Sequence, residues 1–485
     1  MRKKILFYLN GKRHEVGADK SSMMLAEYLR YDQSLTGTKI VCAEGDCGAC
    51  SVLRYFPHGI KGSDTDQYLP VNSCITLVAQ LDGSSLVTVD VLKNSDNLHE
   101  AQKALVNCHG SQCGFCTPGF VMALTGLTEK KLSKGELLIT PQEAKNCMTG
   151  NLCRCTGYQP IINAAVSMDL SNCESIKTRF FTQEQAKDLN LHFEESVRVE
   201  SEDFLFFAPK TMEEALLFLK EKPDAKIMGS ATDLGVLHNK RKLKITQVLS
   251  LHLIQDLYRS EVINDEIHIG ARVTLSEFRS FIKDKVPEFA HYLDVFASPQ
   301  IKNIGTVIGN VANASPIGDT PPALLALNAT IKVATMQGEK EISMSEFYLA
   351  YRKTSLRPGE IITGLKFPLP LPTSQIRFFK SANRKDLDIS SVNFAIKIDW
   401  KVDESRKIED IKIAAGGVGA TPLRFKNVEH FLINNAYSQA TIENAVVELH
   451  KEFKPLSDLR ASSAYRHVLI ENYFRRFFSE IGGLS

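Results

Sequence analysis

The sequence contains eleven cysteines in 485 residues, and their spacing singles out two sets with chemical potential. In the first set, Cys42, Cys47 and Cys50 are separated by four and then two residues, and Cys74 follows in a more distant segment. Glycines between these cysteines allow one loop to wrap a ligand closely. This is the plant-type spacing of a [2Fe–2S] cluster. Structural zinc usually takes Cys-x2-Cys pairs, so the four-residue gap disfavours zinc.

A second set combines the pair Cys113 and Cys116 with the pair Cys153 and Cys155. Taken alone, the first pair has the Cys-x2-Cys spacing of a redox dithiol. Together the two pairs supply four soft thiolates at predicted helix ends, where helix dipoles stabilise anionic sulfur. The spacing favours a second iron–sulfur cluster, with zinc and a dithiol as the alternatives.

The composition is that of an ordinary globular protein, with 44% hydrophobic residues and a formal net charge of +2. This charge gives no support for binding a polyanion such as nucleic acid. The apolar run near the N-terminus is broken at residues 10–13, too early for an export signal, and no stretch has the length of a membrane span. We therefore expect a cytoplasmic protein, in which clustered thiols are metal ligands rather than disulfides. Cys108, Cys147 and Cys173 fit neither set and are interpreted as packing residues.

The segments that must position these cysteines differ in type along the chain. Residues 4–16 form a predicted hairpin around Asn10-Gly11, because both positions of such a turn favour positive φ. A short helix over 22–30, the cysteine loop, and strands over 51–55 and 86–91 complete the pattern of a small β-grasp domain. Short helical segments separated by cysteine-containing turns then indicate a helical bundle: Leu98–Val106, Gly119–Leu127, Pro141–Asn146 and Pro160–Val166.

The remainder of the chain predicts further domains. Residues 167–200 are polar and aperiodic and are interpreted as a linker. Residues 204–370 mix strands with helices, and residues 371–485 form a further unit of strands followed by helices. A chain of 485 residues is too long for a single hydrophobic core. The predicted fold class is α+β with several domains.

No Rossmann-type dinucleotide site is predicted, because the nearest match, residues 416–422, lacks the third glycine and meets a proline. Two other segments are better suited to a phosphorylated cofactor. Residues 225–235 form a strand that runs into a loop of small residues, whose backbone N–H groups can line a pyrophosphate. Residues 304–319 contain three glycines and several neutral donors. Read alone, each segment is equally compatible with a turn that holds no ligand.

The surroundings of the cysteines resemble a known family. His109-Gly-Ser-Gln-Cys-Gly-Phe-Cys-Thr-Pro-Gly119 and Gly150-Asn-Leu-Cys-Arg-Cys-Thr-Gly-Tyr158 closely resemble the second [2Fe–2S] domain of the xanthine oxidase family of molybdenum hydroxylases. Cys42-Ala-Glu-Gly-Asp-Cys-Gly-Ala-Cys50 resembles the first, plant-type domain of that family. The resemblance identifies the second site as [2Fe–2S]. It also implies that Gln112 hydrogen-bonds the pterin of a molybdenum cofactor on a neighbouring domain.

The resemblance covers essentially the whole chain and implies the order of its domains. These are a ferredoxin-like β-grasp domain (1–80), a helical domain of the four-helix-bundle type (81–168), the linker (169–200), an FAD-binding domain of the vanillyl-alcohol-oxidase type (201–370) and a C-terminal α+β flavin-associated domain (371–485).

By position in the matching motifs, the resemblance also implies a set of FAD contacts. The family's pyrophosphate loop commonly carries more glycine than this one, in which Ser230 and Ala231 stand instead. The implied contacts are Lys226, Ile227, Met228, Gly229, Ser230, Ala231, Thr232, Asp233, Phe296, Thr306, Gly309, Asn310, Asn313, Asp319, Ile362 and Lys380.

The function implied is that of the iron–sulfur/FAD subunit in the bacterial, purine-oxidising members of the family. No catalytic residue is expected in this chain, because a larger molybdopterin-binding subunit would oxidise hypoxanthine or xanthine, in an (αβ)2 heterotetramer. Electrons would pass from molybdenum to the cluster of the helical domain, to the plant-type cluster, to FAD and finally to NAD⁺. The cofactors carry this chemistry, and the protein sets their distances and potentials.

Two other functions are compatible with the sequence. The chain could belong to a molybdenum hydroxylase that acts on an aldehyde or another N-heterocycle, or it could be a stand-alone NADH-dependent iron–sulfur flavoprotein reductase. A pterin contact at Gln112 argues against the reductase. Residues 383–388 match a loop that in the family influences whether NAD⁺ or dioxygen reoxidises the flavin. They fit a solvated surface turn as well, so they do not select the acceptor.

Overall fold

The computed structural model of the protein describes residues 1–60, 65–93, 97–401 and 407–481. The chain divides into two compact units, each described here by itself. The first comprises residues 1–258, 274–277 and 297–306, and the second comprises 259–273, 278–296 and 307–485. Across the described ranges, no helix combines the length and the apolar character needed to cross a membrane.

The first unit begins with a five-stranded sheet in the order β2-β1-β5-β3-β4. Its strands are β1 Ile5–Leu9, β2 Lys12–Val16, β3 Ser51–Tyr55, β4 Leu69–Asn72 and β5 Ser85–Val87. The predicted hairpin is confirmed, since Asn10 and Gly11 have φ values of 55° and 80°. The predicted strand over 86–91 ends at Val87, and a 3-10 turn, Val89–Val91, follows it.

The predicted helix over 22–30 is broken into shorter pieces. The structure has α1 Ala18–Ser21, α2 Leu25–Glu27 and a π-helical turn, Tyr28–Asp32. Met24 lies between α1 and α2 in an extended conformation and forms a β-bridge with Leu77. This tertiary pairing interrupts the helix, and the local apolar spacing gives no sign of it.

Four helices follow at the predicted places, as α3 Glu100–Asn107, α4 Thr117–Leu132, α5 Pro141–Cys147 and α6 Gln159–Val166. Helix α4 is buried around most of its circumference, because strand β3 and helices α3 and α5 all pack against it. Its side chains Phe120, Met122 and Leu124 lie in the core of this part of the unit. The predicted helical bundle is confirmed.

The segment interpreted as a linker is not irregular, and that expectation is wrong for most of its length. It contains α7 Ile176–Phe180, α8 Gln183–Phe193 and β6 Val197–Glu200. The buried carboxylate of Glu129, on α4, accepts hydrogen bonds from the backbone N–H groups of Ile176 and Lys177. It thereby satisfies two of the free donors at the start of α7. Such a cap comes from a distant helix and leaves no local signal in the sequence.

The rest of the first unit is built around a second sheet, in the order β6-β7-β9-β8. Its elements are β7 Leu205–Ala208, α9 Met212–Glu221, β8 Lys226–Met228, α10 Leu234–Asn239 and β9 Gln247–Ser250. Strand β9 pairs in parallel with β7 and with β8. The loop between β8 and α10 is one of the two segments predicted to bind a cofactor.

The middle of the chain contributes helices and a mixed group of strands. In chain order these are β10 Ser260–Ile263, β11 Glu266–Gly270, α11 Leu275–Ile282, α12 Pro287–Asp294, α13 Pro299–Lys302, α14 Val307–Ala312, α15 Thr320–Ala326, β12 Thr330–Thr335, β13 Gly338–Ser343, α16 Met344–Phe347, β14 Tyr348–Ala350, β15 Lys353–Thr354 and β16 Ile361–Pro368. The second unit contains an antiparallel sheet in the order β10-β11-β16-β12-β13. Helix α13 belongs to the first unit.

The C-terminal part of the second unit is a four-stranded antiparallel sheet covered by helices. Its elements are β17 Gln375–Ser381, β18 Val392–Trp400, β19 Ile408–Gly416, β20 Leu423–Arg424, α17 Lys426–Asn434, α18 Gln439–Glu452 and α19 Ser463–Glu480. Buried side chains such as Phe394, Ile411 and Phe474 form its core. Residues 416–419 are a turn that follows β19, where Gly417 has a φ of 80°. Helices and mixed or antiparallel sheets thus occur throughout the described residues, and the predicted α+β fold class is confirmed.

A buried carboxylate joins the N-terminal sheet to the sheet of β9. Asp82 is fully buried and accepts a bidentate pair of hydrogen bonds from Arg2, each of 2.8 Å. It also accepts a hydrogen bond of 3.0 Å from Nε2 of His252, just beyond β9. Burial alone would raise the pKa of Asp82, but the bonds from Arg2 and His252 bring it well below its ordinary value.

We expect Asp82→Asn to destabilise the first unit by about 3 kcal/mol, because the substitution leaves a buried guanidinium without its carboxylate. Thermal unfolding at pH 7 should show a clearly lower midpoint. The matched control is Asp203→Asn, since Asp203 forms only an exposed pair with Lys244 at 3.5 Å. Equal midpoints for the two variants would contradict the role assigned to Asp82.

The same variant has a predictable pH dependence. A carboxylate with a depressed pKa contributes its stability above the ordinary aspartate pKa of 3.8 and loses that contribution as the pH falls below it. The difference in unfolding midpoint between the wild type and Asp82→Asn should therefore shrink at pH values below about 4.

Candidate functional site

The first set of cysteines converges in the first unit. Cys42 and Cys47 lie in the loop before β3, Cys50 precedes that strand, and Cys74 lies in a 3-10 turn after β4. The Cys47 N–H donates to Sγ of Cys42 over 3.4 Å. Contact with neighbouring thiols lowers the pKa of Cys42 and Cys50 and raises that of Cys47 and Cys74. Not all four thiols can ionise together unless a cation offsets their charge.

A buried amide beside this loop was not singled out by the sequence. Asn72 is fully buried, and neither its Nδ2 nor its Oδ1 has a hydrogen-bond partner within the described residues. A Cβ atom at Gly45, in the middle of the cysteine loop, would lie 3.4 Å from that Nδ2. A buried unpaired donor costs about 1–3 kcal/mol. The sulfur atoms of an anionic cluster held by this loop would supply the missing acceptor.

The second set of cysteines converges as two pairs. Cys113 contacts Cys155, and Cys116 contacts Cys153. Cys116 is the N-cap residue of α4, so its thiol lies at the positive end of that helix. Cys113 and Cys155 are exposed, whereas Cys153 is buried. The second set is therefore far more accessible from outside than the first, in which Cys50 and Cys74 are buried.

The environments of the second set favour ionised sulfur at two positions. A hydrogen bond from the Phe115 backbone and contact with Cys155 lower the pKa of Cys113. Burial would raise the pKa of Cys153, but hydrogen bonds from the hydroxyl and backbone of Thr156 lower it. Burial and contact with Cys153 raise the pKa of Cys116 to about 12. The pairs thus combine one thiolate-prone and one thiol-prone partner.

The pairwise arrangement fits a two-iron cluster. A [2Fe–2S] cluster spreads four cysteine ligands over two irons. The contacts Cys113–Cys155 and Cys116–Cys153 bring the four thiols of the second set together as two pairs. Soft thiolates are the donors that iron–sulfur clusters require.

The two cysteine loops touch through their backbones. The Leu152 N–H donates to the Cys47 carbonyl over 3.0 Å, so a neighbour of Cys153 is bonded directly to a cysteine of the first set. A Cβ atom at Gly48 would lie 2.2 Å from the carbonyl oxygen of Gly150, and φ at Gly48 is 68°. Only glycine permits this approach and this backbone conformation together.

A buried amide network lies behind this contact. Nδ2 of Asn151 donates to the Gly48 carbonyl over 3.2 Å. Nε2 of the fully buried Gln300 donates to Oδ1 of Asn151 over 2.8 Å and to Oγ of Ser51 over 3.2 Å. Gln300, on α13, therefore ties both cysteine loops to the segment 297–306. No local sequence pattern marks Gln300, because its partners are distant in the chain.

The three remaining cysteines pack against the helical core of the first unit, as the sequence predicts. Sγ of Cys147 donates to the Ala144 carbonyl over 3.2 Å, a bond within its own helix. Burial raises the pKa of Cys147 to about 12 and that of Cys173 to about 11. Both thiols therefore pack in the protonated form, outside the two sets of cysteines.

The predicted flavin contacts fall in both units. In the first unit, Lys226–Met228 forms β8 and residues 229–233 form the loop that follows it. Oγ1 of Thr306 would lie 3.4 Å from a Cβ atom at Gly229, so these two predicted contacts are neighbours. Ala231 has a φ of 60°, a conformation that glycine adopts at less cost. Because its side chain is only a methyl group, Ala231 can stand where the family commonly has glycine.

In the second unit, Asp319, Lys380 and Phe296 come together. Lys380 donates to Oδ2 of Asp319 over 2.9 Å, and its Nζ lies 5.9 Å from the centre of the Phe296 ring. Oδ1 of Asp319 accepts hydrogen bonds from Tyr292, Ser390 and Asn393, at 3.2, 2.5 and 3.1 Å. Burial raises the pKa of Tyr292 well above its ordinary value. The Asp319 carboxylate thus has most of its acceptor capacity filled.

The other predicted contacts of the second unit lie on neighbouring elements. Gly309 and Asn310 are on α14, which packs against β16, the strand of Ile362. Oδ1 of Asn310 accepts a hydrogen bond of 2.6 Å from Thr320. Asn313 follows α14 directly. The Pro316 carbonyl accepts a hydrogen bond from the Gly417 N–H over 2.8 Å, so the turn after β19 supports this segment.

Two predicted functional features lie on the surface. Gln112, beside the exposed Cys113, is itself exposed. Residues 383–388 form a turn in which the Arg384 N–H donates to Oδ2 of Asp388 over 2.9 Å. Burial would raise the pKa of Asp388, but this bond and others from the turn lower it.

Models of four protein families match the chain in sequence. They are a 2Fe-2S iron–sulfur cluster binding domain over residues 7–79, a [2Fe-2S] binding domain over 88–166, an FAD binding domain in molybdopterin dehydrogenase over 199–370, and a CO dehydrogenase flavoprotein C-terminal domain over 377–481.

Curated relatives match the chain over nearly its whole length. The xanthine dehydrogenase of Emericella nidulans is 29% identical, with 98% of this chain and 38% of the relative covered. Xanthine dehydrogenase 1 of Arabidopsis thaliana is 27% identical, with 98% and 39% covered. The chain therefore spans about two-fifths of the length of these relatives.

Solved structures share the fold of part of the chain. The carbon monoxide dehydrogenase of Hydrogenophaga pseudoflava matches with a TM-score of 0.54 and 22% identity, over 58% of this chain and 98% of that one. Quinoline 2-oxidoreductase of Pseudomonas putida 86 matches with a TM-score of 0.52 and 23% identity, over 58% and 98%. Two iron–sulfur domains, an FAD-binding domain and a C-terminal flavoprotein domain in one sequence match the iron–sulfur/FAD part of the molybdenum hydroxylase family.

Proposed function

We propose that this chain carries electrons from a partner-held molybdenum cofactor to FAD and then to NAD⁺, as the iron–sulfur/FAD subunit of xanthine dehydrogenase. The observation that carries the proposal is the direct contact of the two cysteine loops, through the Leu152 N–H and the Cys47 carbonyl. An electron carrier needs its centres close together and held rigidly, and this contact is made by backbone atoms.

Eight cysteines would hold the two clusters. The plant-type cluster would take Cys42, Cys47, Cys50 and Cys74, and the second cluster would take Cys113, Cys116, Cys153 and Cys155. When bound, the clusters carry single electrons and FAD carries two. The chain's own contribution is to exclude water from Cys50 and Cys74, which are buried, and to leave Cys113 and Cys155 accessible.

This difference in exposure supports a direction of electron transfer, from the second cysteine set to the first. An exposed cluster is the one a partner subunit can approach, and a buried one is suited to an internal relay. Gln112 and Phe115 are exposed around the second set and are available to a partner surface. We propose that Gln112 donates to the pterin of the partner's molybdenum cofactor.

The flavin contacts implied by the family are proposed to hold FAD. In the first unit, the backbone N–H groups of residues 229–233 and the hydroxyl of Thr306 would bind it. In the second unit, one donor of Lys380 is free of the bonds to Asp319 and the Val295 carbonyl, since an ammonium has three. Asp319, whose Oδ1 already accepts three hydrogen bonds, would act by orienting Lys380 through Oδ2. The domain division at residues 80, 168, 200 and 370 is part of the same proposal, with the folded segment 169–200, rather than an irregular linker, as the connection between the second and third domains.

The substrate, acceptor and partner are proposed from the relatives. Both curated relatives described above are named xanthine dehydrogenases, and the chain matches about two-fifths of their length. A larger molybdopterin-binding subunit would supply the remainder, oxidising hypoxanthine or xanthine in purine catabolism. An (αβ)2 heterotetramer in the cytoplasm is the assembly we propose.

The proposal is tested by purifying the full chain from its host under native conditions. We expect a larger molybdenum-containing chain to accompany it, and the preparation to reduce NAD⁺ with xanthine. A partner that acts only on an aldehyde or on another N-heterocycle would keep the electron-carrying role but reject the purine. Rapid NADH oxidation by the isolated chain, with no stable molybdenum partner, would overturn the proposal in favour of a stand-alone reductase.

The ligand sets make a separate prediction. We expect Cys153→Ser to remove about two iron atoms per chain and the electron paramagnetic resonance (EPR) signal of one cluster, because one thiolate of its four is lost. Iron analysis and EPR of the reduced protein measure both effects. Cys108→Ser is the matched control, since Cys108 lies in the same helical part and packs outside either set. Loss of the same signal in the control, or its retention in Cys153→Ser, would contradict the assignment.

A further inference from the structure

Helix α10 and the proposed flavin loop form one hydrogen-bonded segment. The Gly235 N–H donates to the Ala231 carbonyl over 2.7 Å, and the Leu237 N–H donates to the Asp233 carbonyl over 3.0 Å. The first turn of α10 is therefore bonded to the loop that would bind the pyrophosphate. A change in the conformation of residues 229–233 would therefore shift the first turn of α10.

The last residue of α10 is bonded to both cysteine segments of the first set. Nδ2 of Asn239 donates to the Ala43 carbonyl and to the Cys74 carbonyl, each over 2.8 Å. Ala43 follows Cys42 in the ligand loop, whereas Cys74 comes from the turn after β4. One half-buried amide thus fixes the two segments to each other and to the helix.

Further contacts hold α10 against the same segments. A Cβ atom at Gly235 would lie 2.3 Å from the Ile75 carbonyl oxygen, so helix and turn touch through their backbones. Val236 packs against the buried group formed by Cys50, Cys74 and Ile75. Lys240 pairs with Glu44 at the surface, where an ion pair contributes little. The buried contacts and the Asn239 amide therefore determine the position of the helix.

We propose that Asn239 is a positioning residue that transmits the occupancy of the flavin loop to the plant-type cluster. The inference rests on the proposed function, since it requires both a cluster at the first cysteine set and FAD at residues 229–233. The Asn239 Nδ2 group donates to the carbonyl oxygens of Ala43, next to Cys42, and of Cys74 itself. Without these donors, the partial negative charges of two carbonyl oxygens in the ligand segments would be uncompensated, which disfavours the more negative, reduced form of the cluster.

The first test replaces the amide. In the full chain, Asn239→Leu should lower the reduction potential of the plant-type cluster, measured by EPR-monitored redox titration, and leave that of the second cluster unchanged. Asn239→Gln keeps the two donors on a longer side chain and should restore part of the shift. The matched control is Lys240→Arg, at the next residue, which keeps the positive charge beside Glu44 of the ligand loop and should titrate as the wild type does.

The second test uses the wild-type chain and needs no substitution. Removing FAD should change the g-values or the potential of the plant-type cluster, and adding FAD back should reverse the change. The second cluster serves as the internal reference within each sample. In Asn239→Leu the response of the plant-type cluster to FAD should be smaller than in the wild type.

Two outcomes would overturn the inference. One is an unchanged potential in Asn239→Leu protein that holds its full iron and FAD. The other is a response to FAD that is as large in Asn239→Leu as in the wild type. Iron and FAD contents are measured first, because a wild-type chain that lacks either cofactor would defeat the proposed function instead. The two failures are therefore distinguishable.

Discussion

The rest of the first unit depends on a single backbone contact, in which the Leu152 N–H meets the Cys47 carbonyl at 3.0 Å. Glycine makes the close approach possible, since a Cβ atom at Gly48 would lie 2.2 Å from the Gly150 carbonyl oxygen. On the neighbouring helix α4, a Cβ atom at Gly119 would lie 2.3 Å from the Gly48 carbonyl oxygen. Backbone atoms have no rotamers to change. The separation of the two cysteine sets is therefore fixed more firmly than side-chain packing alone would fix it.

Two further sets of contacts connect the cysteine loops to the flavin loop within the first unit. Gln300 bonds to Asn151 and Ser51 and so ties α13 to both cysteine segments. The same stretch of chain ends at Thr306, beside Gly229 of the flavin loop. From the other side, α10 runs from that loop to the Cys74 turn. The proposed plant-type cluster is thus held between two connections that both lead to residues 229–233.

The sequence predicts what local patterns encode. The Asn10-Gly11 turn and the helices α4 and α5 follow from spacing and turn chemistry, and the structure has them where they are expected. Spacing also predicts the two cysteine sets, whose members contact other cysteines of the same set. What spacing does not encode is a partner distant in the chain. The Glu129 carboxylate adds to the local Ser175 cap at the start of α7, and the helix over 22–30 is broken by a bridge to Leu77. The roles of Asn72, Gln300 and Asn239 cannot be predicted from the sequence for the same reason, because an amide side chain acquires a role only through neighbours that are distant in the chain.

Buried carboxylates mark the places where each unit can least tolerate change. Asp82 is satisfied by Arg2 and His252, and Asp319 is satisfied by Lys380 and three neutral donors. A buried charge is costly unless its partners are complete, so neither carboxylate can turn toward a ligand without losing a bond. For Asp319, three donors already occupy Oδ1, so a direct flavin contact would be made at Oδ2, beside Lys380. Among the described residues, the Lys380 ammonium donates to Asp319 and to the Val295 carbonyl, which leaves one of its three protons for another acceptor. In the proposed flavin site, the lysine would therefore bind a cofactor phosphate or carbonyl, with the aspartate holding it in place.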